Sequence, residues 1–140
     1  MSYLLDTNVV SEWLKPQPDP GLVSWTHTVD EDRTYLSVVT IGELREGMER
    51  MPPGRRRERH TEWLDDDLLV RFEGRVLPVD VEVADAWGRM MARTKKVGRC
   101  VEVVDALIAA TAEAHRLEVV TRNVAHFSAT GVKICNPWSG

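Results

Sequence analysis

Two aspartates stand in this sequence where a carboxylate is expensive unless something compensates it, and one glutamate joins them. Asp105 lies in VVDALIAATA, residues 103 to 112, the most apolar run of the chain. Its neighbours at helical steps of three and four are Ile108, Ala109 and Ala112, with no cation on that face until Arg116. Asp6 follows the apolar run YLL in YLLDTN at the N-terminus. Glu43, in TIGELREG, lies off the stripe of Ile41, Leu44 and Met48, and Gly47 one turn later leaves space beside it. Each aspartate admits two readings. It can cap a helix N-terminus, and because that end of a helix favours an anion, it can also hold a cation there. Glu43 taken alone reads first as a solvated surface acid. Taken together, the three suggest carboxylates gathered around one divalent ion.

Such a gathering needs elements that bring distant residues together. YLL at 3–5 has the look of a buried parallel strand, and TNVVSEWL starts a helix stopped by PQPDP. A second helix is expected from about Gly21 to Thr28, strand two at TYLS (34–37), and a helix through VVTIGELREGMERM. Gly54 to Phe72 predicts a charged helix whose apolar stripe is Trp63, Leu64, Leu68 and Phe72. RVLPV is a third strand, and Asp80 caps a helix with Val83, Trp87, Met90, Met91 and Val97 on its inner face. The alanine-rich helix from about Asp105 to Arg116 should be central, because it is apolar nearly all round. LEVVT (117–121) and VKICN (132–136) supply strands four and five. Strands alternating with helices predict a single α/β domain over 1–140, a parallel sheet covered on both faces. Ligands of such sheets bind beyond the carboxyl ends of the strands. Asp6, Thr7 and Asn8 follow strand one, Ser37 ends strand two, and Arg122 and Asn123 follow strand four.

Composition sets the outer bounds. With 140 residues, 43% hydrophobic and 29% charged, the chain is of globular type and can bury a core. A net charge of −4 argues against a generally basic nucleic-acid binder, but not against an acidic site that reaches phosphates through a metal. Cys100 and Cys135 lack metal-ligand spacing and read as reduced thiols. No stretch is long enough to span a bilayer, so a soluble cytoplasmic protein is expected.

Four segments, LLDTNVVSEW, LSVVTIGELREGM, VVDALIAATA and VVTRNVAHF, occur in an order and at spacings that resemble the PIN-domain ribonucleases, in particular the VapC-type toxins of bacterial toxin–antitoxin pairs. The resemblance covers essentially the whole chain. It implies a five-stranded parallel sheet with helices on both sides and acidic residues that bind Mg²⁺ or Mn²⁺ at the strand ends. It also implies hydrolysis of RNA phosphodiesters, with a 5′-phosphate and a 3′-hydroxyl as products. By the motif match, the acids carry over to Asp6, Glu43 and Asp105. At the fourth position many relatives carry an acid where Asn123 or His126 stands here, and Asn123 is taken as the fourth polar member. The partners implied are an RNA substrate and an antitoxin that threads a peptide to the acidic site. A homodimer, a heterotetramer or larger complex with the antitoxin, and operator DNA reached only through the antitoxin are also implied.

Oxygen donors without a Cys/His set select Mg²⁺ or Mn²⁺ over zinc. Asp6 and Asp105 are assigned as direct ligands and Glu43 as the group that orients a metal-bound water or accepts its proton. Thr7 and Asn8 either hold Asp6 in place or do ordinary helix-start chemistry. Arg122 either reaches substrate phosphate or neutralises the acidic pocket. The run RRRERH (55–60) spreads over more than half a helix circumference at about 100° per residue, so it reads first as a solvated face and second as an RNA or protein contact. Trp13 and Trp25 read as core or dimer contacts. Two rival functions stand beside the nuclease. One is an aspartate-nucleophile phosphatase, which would want an acid where Asn8 stands. The other is a catalytically weak metal-binding module that chiefly engages its antitoxin.

Overall fold

The computed structural model describes residues 1–139, and its centre is a sheet of five parallel strands in the order β3-β2-β1-β4-β5. These are β1 (Tyr3–Leu5), β2 (Thr34–Ser37), β3 (Val76–Leu77), β4 (Glu118–Val120) and β5 (Ile134–Cys135). Most are shorter than the apolar runs that predict them, because the flanking residues turn into helices and loops within one or two positions. Side chains alternate across each strand. Leu4 and Val119, paired in register, face one layer, while Leu5, Val120 and Leu36 face the other.

The first layer holds α6 (Val81–Lys96), α7 (Val103–His115) and α8 (Val124–Phe127). Its core is Val83, Met90, Ile108, Ala109, Ala112 and Phe127 packed on Leu4 and Val119. Small residues let α7 approach closely, and Ala106, Ala109, Ala110 and Ala112 are fully buried. The opposite layer holds α1 (Thr7–Glu12), α2 (Pro20–Thr28), α3 (Val38–Glu49), α4 (Arg55–Glu62) and α5 (Leu69–Arg71). There Val9, Val10, Leu22, Leu44, Met48 and Phe72 pack on Leu5 and Leu36. Trp13 and Trp25 are half-buried against this core, and the Trp25 ring meets Tyr3 edge-on at 5.2 Å between centroids.

The helix expected over 54–72 is continuous, but its middle, Trp63–Leu68, is π-helical. Leu64, Leu68 and Phe72 are buried as the stripe predicts, and Trp63 is half-buried. Asp80 caps α6, its Oδ1 accepting from the Val83 N–H at 3.0 Å. Val97 departs from expectation: it ends α6 as the C-cap and is 69% exposed, because the helix runs out before its face returns to the sheet. Asp105 departs too. Helix α7 begins at Val103 with Glu102 at its N-cap position, so Asp105 is the third helical residue and not the cap. Cys100 and Cys135 are free thiols. Among the described residues no helix is long and apolar enough to cross a membrane.

Since α7 sits on the sheet through alanines, a larger side chain there has nowhere to go. Ala109→Leu is expected to lower stability by about 1–3 kcal/mol, read as a reduced urea midpoint with an unchanged slope. A midpoint equal to the parent's would show slack between α7 and the sheet.

Candidate active site

Strand β1 has β2 on one side and β4 on the other, so the chain leaves it in opposite directions and opens a crevice beyond the ends of β1 and β4. Asp6 sits there. Its backbone N–H still bonds Val120 O at 2.9 Å, which ties it to β4, and only 4% of the residue is exposed. Its carboxylate is held from three sides. Oδ1 accepts from the Thr7 N–H at 2.8 Å; Oδ2 accepts from Thr121 Oγ1 at 2.8 Å and Asn8 Nδ2 at 3.1 Å. Asp6 therefore caps α1 and is also clamped across the crevice. Burial pushes its pKa above the usual value, while these hydrogen bonds and the nearby His126 pull back.

Thr121, fully buried at the end of β4, is the junction of this network. Its hydroxyl donates to Asp6 and accepts from Asn8 Nδ2 at 3.2 Å and the Asn123 N–H at 2.9 Å, which uses its full capacity. Asn8 Oδ1 in turn accepts from the Arg122 N–H at 3.3 Å. Thr7 reaches the other way: its hydroxyl donates to Glu43 Oε1 and lies 3.1 Å from Thr40 Oγ1. One helix start thus orients two acids from different elements. Glu43, on α3, has its pKa raised by partial burial, against the Thr7 hydrogen bond, and by the charges of Asp6, Glu102 and Glu46.

Asp105 projects from the first turn of α7 with its side chain only 17% exposed. Among the described residues its one close polar partner is His126, with Nδ1 3.5 Å from Oδ2. Burial pushes its pKa to about 6, with Asp6, Glu102 and Glu43 adding to the rise and His126 opposing it. Asp6 and Glu43 therefore lie near enough to Asp105 for their charges to be felt there, and Asp6 is felt at Glu43 as well. Two depressions open here, one of about 810 Å³ beside Thr7 and Glu43 and one of about 480 Å³ beside Asp105, Glu102 and His126.

The remaining predicted residues divide. Thr7 and Asn8 hold the acids, so the two readings of their role coincide. Asn123 contributes its backbone: the N–H bonds Thr121, while its exposed side chain makes no hydrogen bond among the described residues. His126, ranked below Asn123 on sequence grounds, is the one that reaches an acid. Arg122 is exposed and pairs with none of the three carboxylates. Two further residues border the site that the sequence reading did not single out, although Thr121 lies within VVTRNVAHF. Thr121 had a signal, being the polar end of an apolar strand. Glu102 lies three residues before Asp105, close to one helical turn, so that its charge is felt at both Asp105 and Glu43.

Among the described residues no three of His, Cys, Asp and Glu form a ready-made metal cage. The side chains that could hold an ion are instead two hard carboxylates, one anchored by hydrogen bonds and one nearly without them. That suits Mg²⁺, which keeps several waters and is usually held by one or two carboxylates. The position where an aspartate-nucleophile phosphatase would carry its second acid holds Asn8, whose amide is engaged with Asp6 and Thr121.

A family model described as the PIN domain matches residues 3–133. The chain is 40% identical to the VapC ribonuclease Y4jK of Sinorhizobium fredii over 135 residues, 96% of each chain. It is 39% identical to the toxin FitB of Neisseria gonorrhoeae over 135 residues, 96% of this chain and 97% of that one. A solved structure of FitAB bound to an IR36 DNA fragment superposes with a TM-score of 0.92 at 36% identity, covering 99% of this chain and 96% of that one.

All three acids keep their protons to higher pH in the folded state than in the unfolded chain. Each therefore costs stability as pH rises. For Asp105 the cost is absent below the unfolded value of 3.8, grows as pH climbs toward about 6, and is complete above it. In metal-free buffer at neutral pH, Asp105→Asn should melt higher than the parent, by less than about 3 kcal/mol in stability. The two should converge near about pH 3.5. Equal melting temperatures at neutral pH would show that neither burial nor the neighbouring acids disfavour this carboxylate's charge.

Proposed function

The chain belongs to the PIN domain family, and from that premise we propose that it is a metal-dependent endoribonuclease, the toxin of a toxin–antitoxin pair. The observation that carries the reading is the meeting of Asp6, Glu43 and Asp105 at the β1–β4 crevice, with Asp105 left short of hydrogen-bond donors. Resemblance to a VapC ribonuclease and to a toxin supports the substrate class and the role.

Asp6 and Asp105 would hold Mg²⁺ or Mn²⁺. Such an ion, when bound, lowers the pKa of a coordinated water and polarises a phosphoryl oxygen. Thr7 fixes Glu43 through Oε1, leaving Oε2 free to orient the attacking water and accept its proton. That water's oxygen adds to phosphorus as the bond to the 3′-oxygen breaks, giving a 5′-phosphate and a 3′-hydroxyl. Thr121 and Asn8 align Asp6 and oppose the rise that burial gives its pKa, because hydrogen bonds to a carboxylate favour its charged form. The depression that ends at Glu43 leaves room for substrate. An antitoxin is the expected partner, inhibiting by placing a cationic side chain against the carboxylates in competition with the metal. Dimerisation through the N-terminal helices, assembly into a heterotetramer or larger complex, and contact with operator DNA through the antitoxin belong to the same reading.

Purified protein should cut RNA with Mg²⁺ or Mn²⁺, stop with excess chelator, and lose activity in Asp6→Asn. Vigorous cleavage in chelator would remove the metal from the mechanism, and turnover of a phosphomonoester through an aspartyl intermediate would point to a phosphatase. Thr121→Val keeps the shape but removes the donor to Asp6. It should weaken Mn²⁺ binding, measured by calorimetry, about 10–100-fold. Wild-type affinity in that variant would reduce Thr121 to a folding role.

A further inference from the structure

The larger depression joins the acids to the arginine-rich helix. Thr7 and Glu43 form one end, Leu44 and Met48 the floor, and Arg56 and Arg59 of α4 part of the wall. The structure sorts a run that looks uniform in sequence. Arg57 turns away to pair with Glu49, and Arg55 lies outside the groove. Arg56 and Arg59 face the groove, and among the described residues neither has a carboxylate within ion-pair distance. They are close together: His60, on the same wall, has its pKa lowered by partial burial and then by the charges of these two arginines. Lys15, across the groove, is already matched by Glu12 at 2.9 Å. Unspent positive charge in the groove is therefore concentrated on α4.

Resting on the ribonuclease reading, we propose that Arg56 and Arg59 bind backbone phosphates of single-stranded RNA flanking the scissile bond, the strand running from Glu43 along the groove to α4. Charge complementarity selects this occupant. An acidic site repels a polyanion, and a cationic wall opening onto it offsets that repulsion without disturbing the ligands. Single strands are commonly held by a basic groove that follows the backbone, with bases stacking on aromatic side chains where these are present. Here the arginines supply the backbone contact, while the floor, Leu44 and Met48, is nearly fully buried and offers the bases little surface. An acidic peptide would satisfy the arginines as well, but would bring further negative charge toward Glu43 without a cation to bridge it.

The test is binding of a fluorescein-labelled single-stranded RNA to full-length Asp6→Asn protein by anisotropy, in a salt series, without divalent metal. Adding Arg56→Gln and Arg59→Gln should weaken binding about tenfold at low salt and reduce the logarithmic salt slope by about 1.4, roughly 0.7 for each phosphate no longer neutralised. A control with Arg33→Gln and Arg55→Gln removes equal charge away from the groove and should keep the slope. Melting curves establish that every variant is folded. Equal slopes for the groove and control variants would overturn the proposal, and so would intact RNA binding alongside weakened affinity for a partner protein. If wild-type protein cleaves no RNA while the arginine-dependent slope persists, the nuclease reading fails and the groove assignment stands. Cleavage with an arginine-independent slope overturns the groove assignment and leaves the nuclease reading intact.

Discussion

Repulsion among carboxylates taken partly out of water is the constraint around which this molecule is arranged. Asp6, Glu43 and Asp105 come from a strand end and two helices; the charge of Asp6 makes Glu43 and Asp105 harder to ionise, and Glu43 adds to the effect at Asp105. Their surroundings differ in a useful way. Asp6 is buried but receives hydrogen bonds from Thr121, Asn8 and the Thr7 N–H, so its charge is answered within the protein. Asp105 is less buried yet receives almost no answering donor, and its pKa climbs to about 6. One acid is thus a fixed post and the other carries unsatisfied charge. A divalent oxygen-seeking ion meets both conditions.

The fold exists, in this sense, to keep mutually repelling groups in register. Parallel pairing of β1 with β4 places the residue after Leu5 beside the residue after Val120, which are Asp6 and Thr121. Pairing of β1 with β2 brings in α3, where Thr40 and Glu43 meet Thr7. Helix α7 sits close to the sheet because its inner face is alanine, and that closeness sets the depth at which Asp105 emerges. Burial of apolar surface on both faces, at about 25 cal/mol per Å², supplies the driving force that holds the acids together.

Most of this was readable in the sequence, because apolar runs and helical stripes mark what is buried. The strand order and side-chain pairs were not, since they depend on which strands neighbour each other. Thr121 illustrates the point: its proximity to Asp6 is created by pairing across 115 positions and leaves no local signature beyond a polar strand end. Val97 failed for the opposite reason. Its helical spacing was right, but the helix ended one residue earlier and nothing remained for it to pack on. The arginine run shows the same division. Periodicity alone spread its members around a helix, and only the position of α3 decides that Arg57 finds Glu49 while Arg56 and Arg59 face the groove.

The fourth polar position is where local charge balance departs most from the pattern of the family this sequence resembles. An acid at Asn123 or His126 would add to a cluster already short of compensation. Here Asn123 donates through its backbone and His126 lies against Asp105, so that stretch opposes the repulsion among the acids. Glu102 works in the other direction from the far side of Asp105, raising the pKa of both Asp105 and Glu43. Beside the three acids, the extra negative charge thus comes from Glu102 at the start of α7 and not from the β4–α8 loop. Were a cation held by these acids, Glu102 would add to the field that draws it from the side of α7. Substrate phosphates would then be expected to approach along the α3–α4 side, where the groove is open and its wall is basic.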